Sequence, residues 1–123
     1  MYNSVMLPKE YRLKRRSAFA ATYRLKNSFY SGGIVLYAGK EKNDSDIPTK
    51  IGFVVSKHTH KRAVKRNRLK RLMRESYRIL LKNGDAGNSE KYISLIFVGY
   101  EKALNKSFDE IQSNIIKLIK ELK

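Results

Sequence analysis

Apolar positions recur along the chain at two different spacings. After a basic stretch from Arg12 to Arg16, Phe19 and Tyr23 fall on one face at i,i+4, which predicts a short first helix with Ser17 as its N-cap. Asn27, Ser28, Ser31, Gly32 and Gly33 interrupt it, with Tyr30 fitting a short strand before the glycines. The run Ile34-Val35-Leu36-Tyr37 then predicts a buried strand ending at Gly39. The polar segment Glu41 to Lys50 reads as a surface loop between strands. Ile51 to Ser56 is rich in β-branched and aromatic residues and predicts the next strand.

A longer helical period follows. Leu72, Met73, Ser76, Ile79 and Leu80 share one face from Leu69 onward, and Lys70, Arg71, Arg74 and Arg78 are expected on the other. Asn83-Gly84 supplies a stop, and Gly87-Asn88-Ser89 extends the connection. Tyr92 to Val98 is the strongest strand signal, closed by Gly99. Ser107 caps a last helix whose first turn carries Asp109 and Glu110, and whose buried stripe is Ile111, Ile115, Leu118, Ile119 and Leu122. The order αβββαβα predicts an α+β fold, a small α-β sandwich of a sheet against helices. At 123 residues this is a single domain spanning 1–123, with about the first ten residues expected to be flexible.

Composition narrows the partner. Lys and Arg number 27 against 11 acids, a formal charge of +16, and self-repulsion of that size points to a polyanionic partner. Nucleic acid leads over an anionic membrane, because no apolar run approaches the roughly 20 residues of a spanning helix and the first residues do not resemble a signal peptide. A soluble intracellular protein is expected. The absence of cysteine excludes disulfides and thiolate metal sites.

Catalytic chemistry is not evident in the side chains. His58 and His60 lack a third ligand, Asp44 and Asp46 fit a solvated turn better than an ion site, and Ser56 near His58 has no triad pattern. The expectation is no catalytic residue and no protein-borne metal. By contrast, Lys61, Arg62, Lys65, Arg66, Arg68, Lys70, Arg71, Arg74 and Arg78 are relieved by one acid, Glu75. A solvated face normally mixes signs, whereas like charges at i,i+4 weaken a helix, so a phosphate backbone is the natural counterpart. The spacing alone does not separate RNA from DNA.

The run Val64-Lys65-Arg66-Asn67-Arg68-Leu69-Lys70-Arg71-Leu72-Met73-Arg74-Glu75 resembles the Arg-Asn-Arg signature of the bacterial ribonuclease P protein component. Arg12-Leu13-Lys14, Phe19, Tyr23, Val35-Leu36-Tyr37 and Gly52 to Lys57 follow the family's order and spacing, so nearly the whole chain is covered. The resemblance implies a bacterial cytoplasmic subunit that binds a large catalytic RNA and precursor tRNA, with no membrane and no obligate protein partner. Its role would be to assist hydrolytic removal of the 5′ leader, the chemistry being carried by the RNA and by magnesium held mainly on RNA phosphates.

On the same resemblance, Arg66, Asn67, Arg68, Lys70, Arg71 and Arg74 are expected to contact the catalytic RNA. Phe19, Tyr23 and Tyr37, with Arg12, Lys14 and Lys57, are expected to line a cleft for the single-stranded leader. Ordinary core packing is an equal reading for Phe19. A left-handed crossover between parallel strands around the basic helix is also implied, against the right-handed rule that holds in roughly 98% of cases. Where family members carry a basic stretch after the fourth strand, this chain reads Val98-Gly99-Tyr100-Glu101-Lys102, and no strong RNA contact is expected there.

Overall fold

The structure, a computed structural model, describes residues 7–123. Three helices, α1 (Arg16–Arg24), α2 (Ala63–Lys82) and α3 (Phe108–Glu121), surround four strands, β1 (Ser28–Ser31), β2 (Ile34–Ala38), β3 (Lys50–Val54) and β4 (Ser94–Gly99). The order is the αβββαβα that periodicity predicts. The strands lie in the order β1-β2-β4-β3. β1 pairs antiparallel with β2, β2 antiparallel with β4, and β3 parallel with β4. The β3–α2–β4 path joins the parallel pair, and it is this unit to which the implied left-handed crossover applies.

β4 carries the most continuous apolar run because it is central and covered on both faces, every one of its residues being buried. On one face Leu36, Leu95, Phe97 and Ile51 pack with Leu69, Met73, Tyr77 and Leu80 of α2 and with Ile111, Ile115, Leu118 and Ile119 of α3. On the other, Leu13, Ile96 and Val98 form a smaller cluster, closed over by Ala18, Phe19 and Tyr23 of α1 together with Tyr37 and Val54. One side of the sheet is thus sealed by two long helices. The other has a single short one.

Several local expectations shift. Ser17 does not cap α1. The helix begins two residues earlier, behind Arg15 without a side-chain cap, its approach being fixed by Leu13, whose N–H donates to the Ile51 carbonyl at 2.9 Å. Ser107 does cap α3 in a reciprocal box with Glu110, each accepting the other's backbone N–H, at 3.2 and 3.0 Å. Arg78, expected outward, is buried, its guanidinium 3.8 Å from the Glu75 carboxylate. Tyr77 is also turned inward, so the packed arc of α2 is wider than the five apolar positions suggest. Its hydroxyl meets Ser89 Oγ at 2.9 Å, which leaves the buried phenol with a partner.

The expected flexibility of the first ten residues falls mostly outside the described residues. Of the others, Leu7 is buried in the main core and Lys9–Tyr11 form a turn of 3-10 helix.

The β1–β2 hairpin turns on Gly32 and Gly33, both at positive φ. A Cβ on Gly33 would lie 2.7 Å from the Ala103 backbone nitrogen, and its φ of 91° disfavours any side chain. Gly33→Ala is therefore expected to destabilise the fold by about 1–3 kcal/mol. Urea denaturation measures this, and an unshifted midpoint would contradict the tight packing of the hairpin on the segment after β4.

Candidate nucleic-acid interface

The positive end of α2 is concentrated by the local sequence. Its N-cap is Arg62, which makes no side-chain cap, and no acid occupies the first turn. The macrodipole thus adds to Lys61, Arg62 and Lys65 instead of being offset, an arrangement that favours an anion. Arg66 and Arg68, both expected to face RNA, also hold the protein together. An Arg66 Nη donates to the carbonyls of His60 and Lys61 at 2.7 and 2.8 Å, locking the turn that leads into α2. The two Nη atoms of Arg68 donate to the carbonyls of Leu104 and Lys106 at 3.0 and 3.2 Å, pinning α2 to the β4–α3 connection. A guanidinium has five N–H donors, so each retains N–H groups for phosphate. Asn67 and Arg71 are exposed, and Lys70 is partly so.

Arg74 is half-buried, and its pKa is lowered first by that burial and then by the Arg12 guanidinium nearby. Neighbouring cations of this kind raise the local positive potential, which favours an anion. Arg12 was placed with the leader residues by sequence. Its Nε donates to the Leu7 carbonyl at 2.9 Å, and it lines a cleft of about 460 Å³. Lys9, Lys14, Arg15 and Lys50 share that cleft with one acid, Glu10. Lys57 is exposed in the turn after β3.

Beside this cleft lies the aromatic surface of the sheet. Phe19 and Tyr23 have ring centroids 6.5 Å apart, and Tyr23 meets Tyr37 edge-on at 4.8 Å and 82°. Gly52 makes room for the Phe19 ring, whose edge would be 2.7 Å from a Cβ there. Phe19 is therefore partly packed into the sheet, against the cluster of Leu13, Ile96 and Val98. Burial pushes the Tyr23 phenol above its ordinary pKa, and Tyr37 and Tyr100 push the same way. The Tyr23 phenol therefore stays neutral near pH 7 and presents an aromatic face and a hydroxyl to a polyanion without repelling it.

Tyr100 and Tyr30 were missed by the sequence reading. The substituted basic stretch drew attention away from Tyr100, although it continues the i,i+2 alternation of Ile96 and Val98. His60 has a structural role, its Nδ1 accepting from the Arg62 N–H at 3.0 Å, and Asp44 Oδ1 accepts from the Asp46 N–H at 3.0 Å within a turn. Among the described residues, no group of three His, Asp or Glu side chains is placed to hold a metal, and no helix is long and apolar enough to cross a membrane.

Because Arg68 ties two elements together and Asn67 is exposed, their alanine variants should differ in the absence of RNA. Arg68→Ala is expected to cost about 1–3 kcal/mol of stability, and Asn67→Ala within about 0.5 kcal/mol. Chemical denaturation of the free protein separates them, and equal small losses would remove the pinning role.

A family profile described as Ribonuclease P matches residues 7–123. A ribonuclease P protein component from Clostridium kluyveri is 34% identical over 110 residues, covering 89% of this chain and 92% of that one. Another from Clostridioides difficile is 32% identical over 108 residues, covering 88% of each. The fold is similar to that of the RNase P protein from Thermotoga maritima, with a TM-score of 0.73 at 21% identity over 91% of this chain and 97% of that one. The RNase P protein of Staphylococcus aureus gives a TM-score of 0.71 at 24% identity over 92% and 95%. With the basic helix and the aromatic sheet face carried on one fold, the chain belongs to the ribonuclease P protein component family.

Proposed function

We propose that this chain is the protein subunit of a ribonuclease P ribonucleoprotein, holding a catalytic RNA with one surface and the 5′ leader of precursor tRNA with another. The observation that carries this reading is the pairing of an almost wholly cationic helix with a separate, partly covered aromatic cleft. The helix face built from Arg66, Asn67, Arg68, Lys70, Arg71 and Arg74 would engage phosphates of the catalytic RNA, releasing condensed counterions. Arginine suits this task because its planar fork can grip two phosphate oxygens at once.

Phe19, Tyr23 and Tyr37 would hold the leader by stacking on unpaired bases, with Arg12, Lys14 and Lys57 following its backbone. A single strand fits such a face where a duplex does not, since only unpaired bases offer their planes. Precursor and mature tRNA differ in the leader, so this contact would favour substrate over product. No side chain of the protein is assigned to bond cleavage. The catalytic RNA would carry the hydrolysis, with magnesium on its phosphates activating water. The protein's share would be positioning and charge screening, exerted in the cytoplasm of a bacterium and needing no other protein.

Arg71→Ala or Arg74→Ala should each reduce the slope of log affinity for the catalytic RNA against log salt by about one unit. Slopes equal to wild type would remove these residues from the phosphate contacts. Tyr37→Ala should weaken precursor tRNA binding by the reconstituted complex about fivefold or more, with a smaller effect on mature tRNA. Equal losses would assign Tyr37 to packing. The deciding assay is 5′ cleavage of precursor tRNA by the cognate RNA at low magnesium. Stimulation by the protein is expected. Failure to stimulate, together with tighter binding to ribosomal RNA at matched salt, would instead make this a general RNA-binding module.

A further inference from the structure

The aromatic cleft does not end at Tyr37. In the β1–β2 register Tyr30 is opposite Val35 and Ser28 opposite Tyr37, while β2 and β4 place Val35 opposite Val98 and Tyr37 opposite Ile96. Directly opposed residues project from the same face of a sheet, so Tyr30 shares the cleft face with Val35, Tyr37, Ile96 and Val98. Tyr100 follows Val98 at the next position of the same parity, and its phenol lies against that of Tyr37. Helix α1 covers the opposite end of this face, where Thr22 Oγ1 is hydrogen-bonded to Ser94 Oγ at the start of β4. Among the described residues, no helix covers the end bearing Tyr30 and Tyr100 in this way.

Both tyrosines are held by one residue. The Gly33 N–H donates to the Tyr30 hydroxyl at 3.1 Å, and the Tyr100 N–H donates to the Gly33 carbonyl at 2.8 Å. They are nevertheless 61% and 43% exposed, among the most exposed large hydrophobic side chains described, although each is fixed in place. An isolated exposed tyrosine needs no explanation. Two anchored ones, continuing a row of aromatic rings on a chain of charge +16, form a surface suited to bases. Lys102, whose Cβ would lie 3.0 Å from a Cβ on Gly33, and Lys57 beyond β3 supply nearby cations for the backbone.

We propose that Tyr30 and Tyr100 form a second stacking shelf, which carries single-stranded RNA beyond Tyr37 and sets how much of the leader the cleft can hold. The inference rests on the reading of the cleft as the leader site. It assigns an RNA contact to the segment after β4 through stacking, where charge alone had suggested none. The Tyr100 backbone and the Tyr30 hydroxyl are held by the fold, so less ordering is needed on binding.

The test uses the complex reconstituted from this chain and its cognate ribonuclease P RNA, with precursor tRNAs whose leaders are lengthened one nucleotide at a time. Wild-type affinity should go on rising until the leader reaches the shelf. The double variant Tyr30→Ala, Tyr100→Ala should level off at a shorter leader, the gap widening with length to at least about fivefold. The double phenylalanine variant keeps both rings and should restore the wild-type profile, which separates stacking from loss of fold. If the double alanine variant follows wild type at every leader length, the shelf is overturned. Tyr37→Ala serves as the reference: when it lowers precursor affinity and the double variant does not, only the shelf fails, whereas indifference to both would overturn the leader site itself. Quenching of tyrosine fluorescence by a single-stranded oligonucleotide, measured on the free protein, should shrink in the double alanine variant relative to Tyr37→Ala alone, and an undiminished signal would likewise count against the shelf.

Discussion

The arrangement depends on β4. It pairs with β2 on one side and β3 on the other, and both its faces are covered, so alternate residues are committed to different environments. Leu95 and Phe97 face the two long helices, and Ile96 and Val98 face α1 and the cleft. Because side chains alternate with a period of two, a slip of one residue would exchange these sets. The register of β4 thus determines that Tyr37 lies beside Ile96, and that the aromatic row runs where α1 covers the sheet incompletely. The hydrophobic stabilisation of the chain is concentrated on the α2 and α3 side, which leaves the opposite face free to be shaped for a ligand.

The same asymmetry accounts for the position of the basic helix. α2 must contribute Leu69, Met73 and Tyr77 to the sealed side, and this orients its charged arc outward. An uncapped helix beginning among Lys61, Arg62 and Lys65 is poorly stabilised by its own ends. Two interactions compensate. Arg66 ties down the incoming turn, and Arg68 reaches the carbonyls after β4. A cation that satisfies a carbonyl within the fold keeps its charge, so structural use of these residues does not remove them from the electrostatic surface.

Much of this was legible in the chain. The period of apolar residues gives every helix and strand, with boundaries displaced by a residue or two, and the box at Ser107 is visible as Ser followed by Glu110. What sequence could not give was anything that depends on two distant segments meeting. Ser17 looks like a cap because its chemistry suits one, but the Leu13 to Ile51 hydrogen bond starts the helix sooner. Arg78 looks like a surface cation, yet it is buried, because periodicity records the average face of a helix and not the width of the arc its neighbours enclose. Arg12 and Arg74 are far apart in sequence and adjacent in space. For the candidate site, the motif residues are readable in sequence, whereas only strand register puts Tyr30 on the sheet face that carries Tyr37.

Arg12 makes the two surfaces interdependent. It lines the basic cleft, bridges to Ile51 on the edge strand, and sits close enough to Arg74 to lower that residue's pKa. The nearby Arg12 guanidinium, together with burial, disfavours the charged form of Arg74 in the free protein. A phosphate near either one relieves the repulsion felt by both. On the proposed function, RNA phosphates along α2 would reduce the repulsion felt by Arg12, and a strand in the cleft would do the same for Arg74. Any coupling between the two surfaces is reciprocal, each ligand changing the other's affinity by the same factor. On the proposed function, the dense positive charge that opposes folding of the isolated chain would be what assembly and substrate binding both draw on.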